Sequence, residues 1–172
     1  MRKGYIQVYT GNSKGKTTAA LGLAIRAAGA GLKIYIAQFV KMKRCSEHKI
    51  LEKLGKHITV KQYGTGFLRG NKPSKAALAA ARKGLAEVTG IITSGKYDLV
   101  ILDEINVALH YGLLEVDDVL DLLEQKPTPV ELVLTGRYAD ERIMHKADLV
   151  TEMREIKHYY DKGVKARIGI EC

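Results

Sequence analysis

The sequence predicts an α/β domain built on a mainly parallel sheet with helices on both faces. Three observations carry that reading. Short runs of β-forming residues alternate with helical segments along the chain, which is the pattern of successive βαβ units. One run, Leu99 to Leu102 (LVIL), is apolar without interruption, as expected of a strand covered on both faces. A glycine-rich loop, Gly11 to Thr18, joins the first strand directly to the first helix. The 172 residues, 46% of them hydrophobic, suffice for one sizeable core and hardly for two, so residues 1–172 are expected to form one domain.

The elements follow in order. Gly4 to Tyr9 (GYIQVY) is rich in β-formers and predicts the first strand. Thr17 to Ala30 (TTAALGLAIRAAGA) predicts an alanine-rich helix whose small side chains permit close packing. Lys33 to Phe39 (KIYIAQF) predicts the second strand, Ser46 to Leu54 a short helix, and Ile58 to Tyr63 the third strand. A glycine-spaced loop, GTGFLRGN, then covers Gly64 to Asn71. Ser74 can cap a long helix that runs to about Thr93, where Ser94-Gly95 ends it. After LVIL a short helix leads to Gly112, and another covers Val116 to Glu124. Pro127 and Pro129 break the chain before the strand Glu131 to Leu134. A short helix near Ala139 to His145 and a strand Leu149 to Met153 come next. Tyr159 to Gly163 (YYDKG) predicts a turn, and Lys165 to Ile170 a last extended piece. Right-handed crossovers would put helices on both faces, and ligands of such sheets bind beyond the carboxyl ends of the strands.

The balance of 28 Lys and Arg against 19 Asp and Glu gives a formal charge of +9. That favours anionic partners, whether nucleotide, nucleic acid, acidic protein or membrane surface, without choosing among them. Basic residues run along the whole chain, with a modest cluster at Lys41, Lys43 and Arg44. No basic stripe is interleaved with aromatic residues, which argues against a nucleic-acid partner. The cysteines, Cys45 and Cys172, form no C-x-x-C pair, and the His residues lack metal-site spacing. Reduced thiols in a cytoplasmic protein are expected, with no structural zinc. The first strand begins too soon after Met1 for a signal peptide, and no apolar run reaches membrane-spanning length, so no membrane partner is expected.

The loop reads Gly11-Asn12-Ser13-Lys14-Gly15-Lys16-Thr17-Thr18. Glycines let backbone N–H groups turn inward around phosphate oxygens, and the helix that follows adds its positive N-terminal end. In G-x-x-x-x-G-K-[ST], Lys16 reaches the terminal phosphates and the Thr17 hydroxyl sits on Mg²⁺. Gly11 lies one residue too close to Gly15 for that pattern, and Thr10 stands at the first glycine position. Asp103-Glu104 ends the apolar strand, where a carboxylate can hold Mg²⁺ through oxygen or water. Arg137, in Thr135-Gly136-Arg137 after another strand, is a second phosphate contact, able to neutralise charge on a leaving group. Arg26, along the first helix, is a further candidate for ATP.

Beyond the loop, the strings YTGNSKGKTTAALGLAIRAAGAG, QFVK, GTGF, YDLVILDEINVAL, LVLTGR and ADLVTEMREIKHYYDKGVKARIGIE occur in order. Together they resemble the P-loop type of ATP:corrinoid adenosyltransferase, over about Gly4 to Glu171. The resemblance implies a P-loop (RecA-like) three-layer fold and a place in adenosylcobalamin biosynthesis or salvage. It also implies a reaction: a Co(I) corrinoid attacks the 5′ carbon of ATP, and inorganic triphosphate leaves. Hydrolases must hold the β–γ bridge in line with water, whereas here the breaking bond lies at the other end of the triphosphate.

On that basis Gly11, Asn12, Ser13, Lys14, Gly15, Lys16, Thr17 and Thr18 surround the triphosphate, Thr17 and Glu104 share Mg²⁺, and Lys16 with Arg137 carries the catalytic charge stabilisation. Phe67 would belong to a loop covering the corrinoid. Arg69 stands where the family has tryptophan, Ser13 where it has glycine, and Met42 where glycine follows the lysine. The resemblance further implies a homodimer, and the basic surface suits an acidic flavodoxin-type reductant. The alternatives are a P-loop ATPase or nucleic-acid-associated NTPase, a small-molecule kinase, and a binding module without catalysis.

Overall fold

The computed structural model describes residues 3–66 and 73–171. Six strands, β1 (Ile6–Thr10), β2 (Ile34–Gln38), β3 (Ile58–Gln62), β4 (Leu99–Asp103), β5 (Glu131–Thr135) and β6 (Leu149–Glu152), form one sheet in the order β3-β2-β4-β5-β1-β6. Every pairing is parallel. The helices are α1 (Lys16–Gly29), α2 (Ser46–Lys53), α3 (Lys75–Thr93), α4 (Ile105–His110), α5 (Val116–Glu124) and α6 (Glu141–Lys146).

Alternation along the central strands sends side chains into two cores, one on each face of the sheet. Ile34, Ile36, Leu99, Ile101 and Val133 meet α1 through Ala20, Ala24 and Ala27. Those alanines recur at helical spacing, and their small size lets α1 lie close on the sheet. Tyr35, Ala37, Val100, Leu102, Leu132 and Leu134 point the other way, into a larger core shared with α3, α4 and α5. The result is the three-layer α/β arrangement that the uninterrupted LVIL run predicted. Ser74 caps α3 as expected, its Oγ accepting from Ala77 N at 3.1 Å.

The sheet order positions the site. β5 lies between β1 and β4, so the segments leaving β1, β4 and β5 emerge side by side at the carboxyl edge. The glycine loop, Asp103-Glu104 and Thr135-Gly136-Arg137 therefore meet, although more than a hundred residues separate the first from the last. β6 forms the edge of the sheet next to β1, and all four of its residues are exposed. Among the described residues, no helix is long and apolar enough to cross a membrane.

Two boundaries differ from expectation. Helix α6 begins at Glu141 rather than near Ala139, because Asp140 caps it by accepting from Arg142 N at 2.8 Å. Lys165 to Ile170 is not an extended strand. Its backbone turns on itself instead, with the N–H groups of Ile170 and Glu171 both donating to the Arg167 carbonyl, at 3.2 and 3.0 Å. Tyr159–Lys162 is a single 3₁₀ turn ended by Gly163 at φ 77°.

Candidate functional site

The glycine loop is shaped by its neighbours. Gly11 and Gly15 have φ of 97° and 123°, in the region that favours glycine. At Gly11 a Cβ would also collide with the Met153 backbone, which follows β6. Met153 N donates to Thr10 O at 2.9 Å and Ser13 N donates to Met153 O at 3.0 Å, so the chain leaving β6 braces the loop. Ser13 is not at positive φ, and serine fits there without backbone strain. Lys16 is buried, and its ammonium donates to the carbonyls of Gly11 and Ser13, both at 2.6 Å. Burial lowers its pKa and Arg137 adds to that, while the Glu104 charge works in the opposite direction. The first turn of α1 contains no acidic residue, leaving the positive end of the helix to an outside anion.

Asp103, at the end of β4, is only 1% exposed. Its Oδ1 accepts from Thr17 Oγ1 at 2.8 Å and from Thr135 Oγ1 at 2.7 Å. Its Oδ2 accepts from Lys41 Nζ at 2.9 Å and from Gln38 Nε2 at 3.2 Å. Gln38 is itself held by His48, whose Nε2 lies 2.8 Å from Gln38 Oε1. Because that oxygen only accepts, His48 Nε2 carries the hydrogen, and Nδ1 is left to accept from Cys45 N at 3.1 Å. A line of donors thus runs from Cys45 through His48 and Gln38 to Asp103. Burial works against the charge on Lys41, but the charge of Asp103 and the hydrogen bond to it raise its pKa overall.

Glu104 follows in the left-handed region at φ 63°, its N–H donating to Thr135 Oγ1 at 3.0 Å. Burial raises its pKa and the neighbouring Asp103 charge adds to this, partly offset by Lys41, Lys16 and Arg137. Val40, at φ 65°, and Tyr138, at φ 61°, are the other described non-glycine residues with positive φ. The three lie just past the ends of β2, β4 and β5, and all three line the same cavity. Backbone conformations of this kind persist where the surroundings over-determine them, and they gather at functional sites.

That cavity has a volume of about 870 Å³. Ser13 through Thr18 form its floor, with Lys41, Glu104 and Arg137 beside them. Leu21, Ile25 and Ile50 line one apolar wall, and Val107, Tyr111 and Tyr138 another. The site thus joins a cationic floor to flat and apolar surfaces. Thr17, Asp103 and Glu104 offer only hard oxygen donors, the chemistry that suits Mg²⁺. Among the described residues no group of three or more His, Cys, Asp or Glu could form a closed metal cage. With Asp103 taken up by four donors, Thr17 and Glu104 are left to face an ion, a set that matches one that keeps water and substrate oxygens.

Most residues predicted for the site converge. Gly11 and Asn12 shape the loop but do not line the cavity. Arg26 does not join them, since it sits exposed in the last turn of α1 and is absent from the cavity wall. Phe67 and Arg69 lie outside the described residues. Lys14 lines the cavity but is engaged by the C-terminal segment, donating to Tyr159 Oη at 3.1 Å, Ile170 O at 2.8 Å and Glu171 Oε1 at 2.9 Å. Cys45 is disulfide-bonded, which corrects the expectation of a reduced thiol there. Sequence reasoning missed Lys41, Gln38 and His48. One signal was available: Gln38 is a polar residue ending a strand that is otherwise apolar and buried.

Comparison with known proteins adds to this geometry. A family model for ATP:corrinoid adenosyltransferase BtuR/CobO/CobP matches residues 2–172. The corrinoid adenosyltransferase of Escherichia coli (strain K12) is 37% identical over 170 residues, covering 98% of this chain and 86% of that protein. The corrinoid adenosyltransferase of Sinorhizobium sp is 38% identical over 172 residues, covering 98% of this chain and 80% of its own length. Corrinoid adenosyltransferase CobA of Salmonella typhimurium is 36% identical over 170 residues, at 98% and 86%.

The raised pKa of Glu104 has a consequence for stability. A carboxylate whose folded pKa lies above its unfolded value favours the fold while protonated, and that contribution is lost as pH rises through the folded pKa. Near neutral pH, without ligand, Glu104→Gln should therefore stabilise the chain by roughly 0.5–2 kcal/mol, the usual gain from relieving strain at a functional site. In thermal unfolding the gain should shrink as pH falls below the ordinary carboxylate range. An equal gain at pH 3 and pH 8 would contradict this account of Glu104.

Proposed function

The chain belongs to the ATP:corrinoid adenosyltransferase family, and we propose that its glycine loop holds the triphosphate of ATP as a leaving group. It is an enzyme, a transferase that adenosylates corrinoids with ATP in cobalamin biosynthesis. That membership does not favour the P-loop ATPase and nucleic-acid alternatives.

The observation that carries the reading is the meeting of Lys16, Thr17, Glu104 and Arg137 around one cavity, with the buried Asp103 bonded behind Thr17. In the reaction the Co(I) centre of the substrate gives an electron pair to C5′ of ATP. The C5′–O bond breaks, and its electrons leave with the triphosphate. Since cobalt is the nucleophile, no side chain has to act as a base; the chain's task is positioning and charge stabilisation. Loop N–H groups from Ser13 to Thr18 and the start of α1 cradle the phosphates. Lys16 turns from the carbonyls of Gly11 and Ser13 onto the triphosphate, and Arg137 neutralises the departing chain.

Thr17 and Glu104 would hold Mg²⁺, which when bound supplies positive charge against the triphosphate. Asp103, with its oxygens given to four donors, keeps Thr17 in place. The apolar walls suit adenosine and the corrinoid, and Phe67 would contact the corrinoid in line with the family resemblance. A flavodoxin-type reductant fits the formal charge of +9, and use of ATP fits a cytoplasmic location. A homodimer is supported by the exposed edge strand β6, where Leu149 and Val150 are 44% and 43% exposed, and by Ile156 and Ile168 beyond it.

Three measurements follow from this reading. With ATP, Mg²⁺ and chemically reduced cobalamin or cobinamide, the protein should form a cobalt–carbon product and inorganic triphosphate; release of ADP alone would overturn the proposal. Lys16→Ala should lower kcat/KM by about 10²–10³-fold, as loss of a donor to a developing anion does, and unchanged turnover would show that the triphosphate sits elsewhere. Sedimentation should show a dimer that Val150→Lys weakens; a monomer at micromolar concentration would exclude the β6 edge as a stable interface.

A further inference from the structure

We propose that Lys41 is a resident cation, holding the metal position of the nucleotide-free site and exchanging with the divalent ion when the triphosphate arrives. The inference rests on the proposed function only for where the triphosphate lies.

Three side chains form a closed ring of hydrogen bonds. Lys41 Nζ donates to Thr17 Oγ1 at 3.2 Å and to Asp103 Oδ2 at 2.9 Å, while Thr17 Oγ1 donates to Asp103 Oδ1 at 2.8 Å. The hydroxyl lone pair that a metal would take is therefore occupied by the ammonium. A divalent cation cannot share so small a space with that charge, because unit charges a few ångströms apart in a partly buried site repel strongly. Nor can the position stand without a cation, since Asp103 is 1% exposed and a buried carboxylate stripped of its partner is costly. The two conditions are met together by exchange.

The backbone suits that role. Val40 stands at φ 65°, a conformation that a β-branched residue seldom adopts. It is held there from several sides. Lys41 N donates to Phe39 O at 2.6 Å, and Gly66 N donates to Val40 O at 3.2 Å. Gly64 presses so closely that a Cβ on it would collide with the Val40 carbonyl. The Lys41 main chain is thus fixed, and the long side chain, 24% exposed and lining the cavity, is the part that can move. Once displaced, its ammonium points into the cavity that holds Lys16 and Arg137, where the triphosphate supplies a new anion. Metal then enters with the nucleotide rather than ahead of it.

The test uses the full chain without corrinoid, with Mn²⁺ as the probe. Electron paramagnetic resonance of free Mn²⁺ should show weak binding to the nucleotide-free parent. Lys41→Met and Lys41→Gln should bind it roughly tenfold tighter or more, and Lys41→Arg should behave as the parent does. Equal affinity in the parent and both neutral variants would overturn the proposal. A second measurement needs no variant: saturating Mn²⁺ without nucleotide should speed reductive methylation of Lys41 relative to the exposed Lys33, and an unchanged ratio would equally overturn it. Both readouts are independent of adenosyl transfer. Absence of the cobalt–carbon product would therefore refute the proposed function and leave the exchange standing.

Discussion

The buried carboxylate of Asp103 is the constraint from which the site is built. A charge withdrawn from water has to be met by donors on every side, and the fold brings four of them from separate places. Thr17 comes from the start of α1, Gln38 from the end of β2, Lys41 from the segment after it, and Thr135 from the end of β5. Satisfying one carboxylate thereby fixes the start of α1, two strand ends and a strained loop relative to one another. Thr135 extends the constraint, since the oxygen that donates to Asp103 also accepts from Glu104 N and sets that residue at the cavity edge.

This arrangement follows from the strand order. With β5 inserted between β1 and β4, the glycine loop and the acidic strand end are separated by one strand width, and the Thr-Gly-Arg turn fills the gap. Gly136, at φ 133°, lets that turn pass close to α4, where a Cβ would press on Asn106 at 3.0 Å. The positive-φ residues Val40, Glu104 and Tyr138 each redirect the chain just past a strand end. All three residues consequently line the cavity instead of continuing the alternation of the sheet.

Some features of the fold and site are written in local sequence patterns, and the others depend on contacts between distant residues. Glycine spacing, the Gly-Lys-Thr triplet and the unbroken LVIL run are local patterns with a direct physical meaning, and they located the loop, the central strand and the acidic pair. Lys41 and Gln38 reach Asp103 across 62 and 65 residues, a pairing that only the parallel register of β2 and β4 creates. Arg26 was drawn toward the loop by its helix, but ten positions at 1.5 Å each carry it about 15 Å along the axis. Lys165 to Ile170 alternates like a strand, yet it folds into turns secured by Arg167 and Glu171. Extended backbone needs a neighbour to pair with, and this segment instead satisfies its own backbone groups.

Two lysines of the site, Lys14 and Lys41, are already paired with carboxylates, and the two pairs differ in how they can be released. Lys14 meets Glu171, whose own pKa is lowered by Arg167, Lys14 and Tyr159, so that carboxylate stays ionised well into acid. This pair is solvent-accessible, and water and salt screen it, so Lys14 can change partners without leaving a buried charge behind. Lys41 meets Asp103, which cannot follow it into solvent because the sheet fixes it. Any ligand that draws Lys41 away must therefore bring a replacement cation. On the proposed exchange, a free triphosphate would satisfy the first pair, and only a metal-loaded one would satisfy both. The asymmetry between a partly exposed carboxylate on the C-terminal segment and a buried one on β4 is therefore one of release, since only Lys14 can leave without a replacement cation.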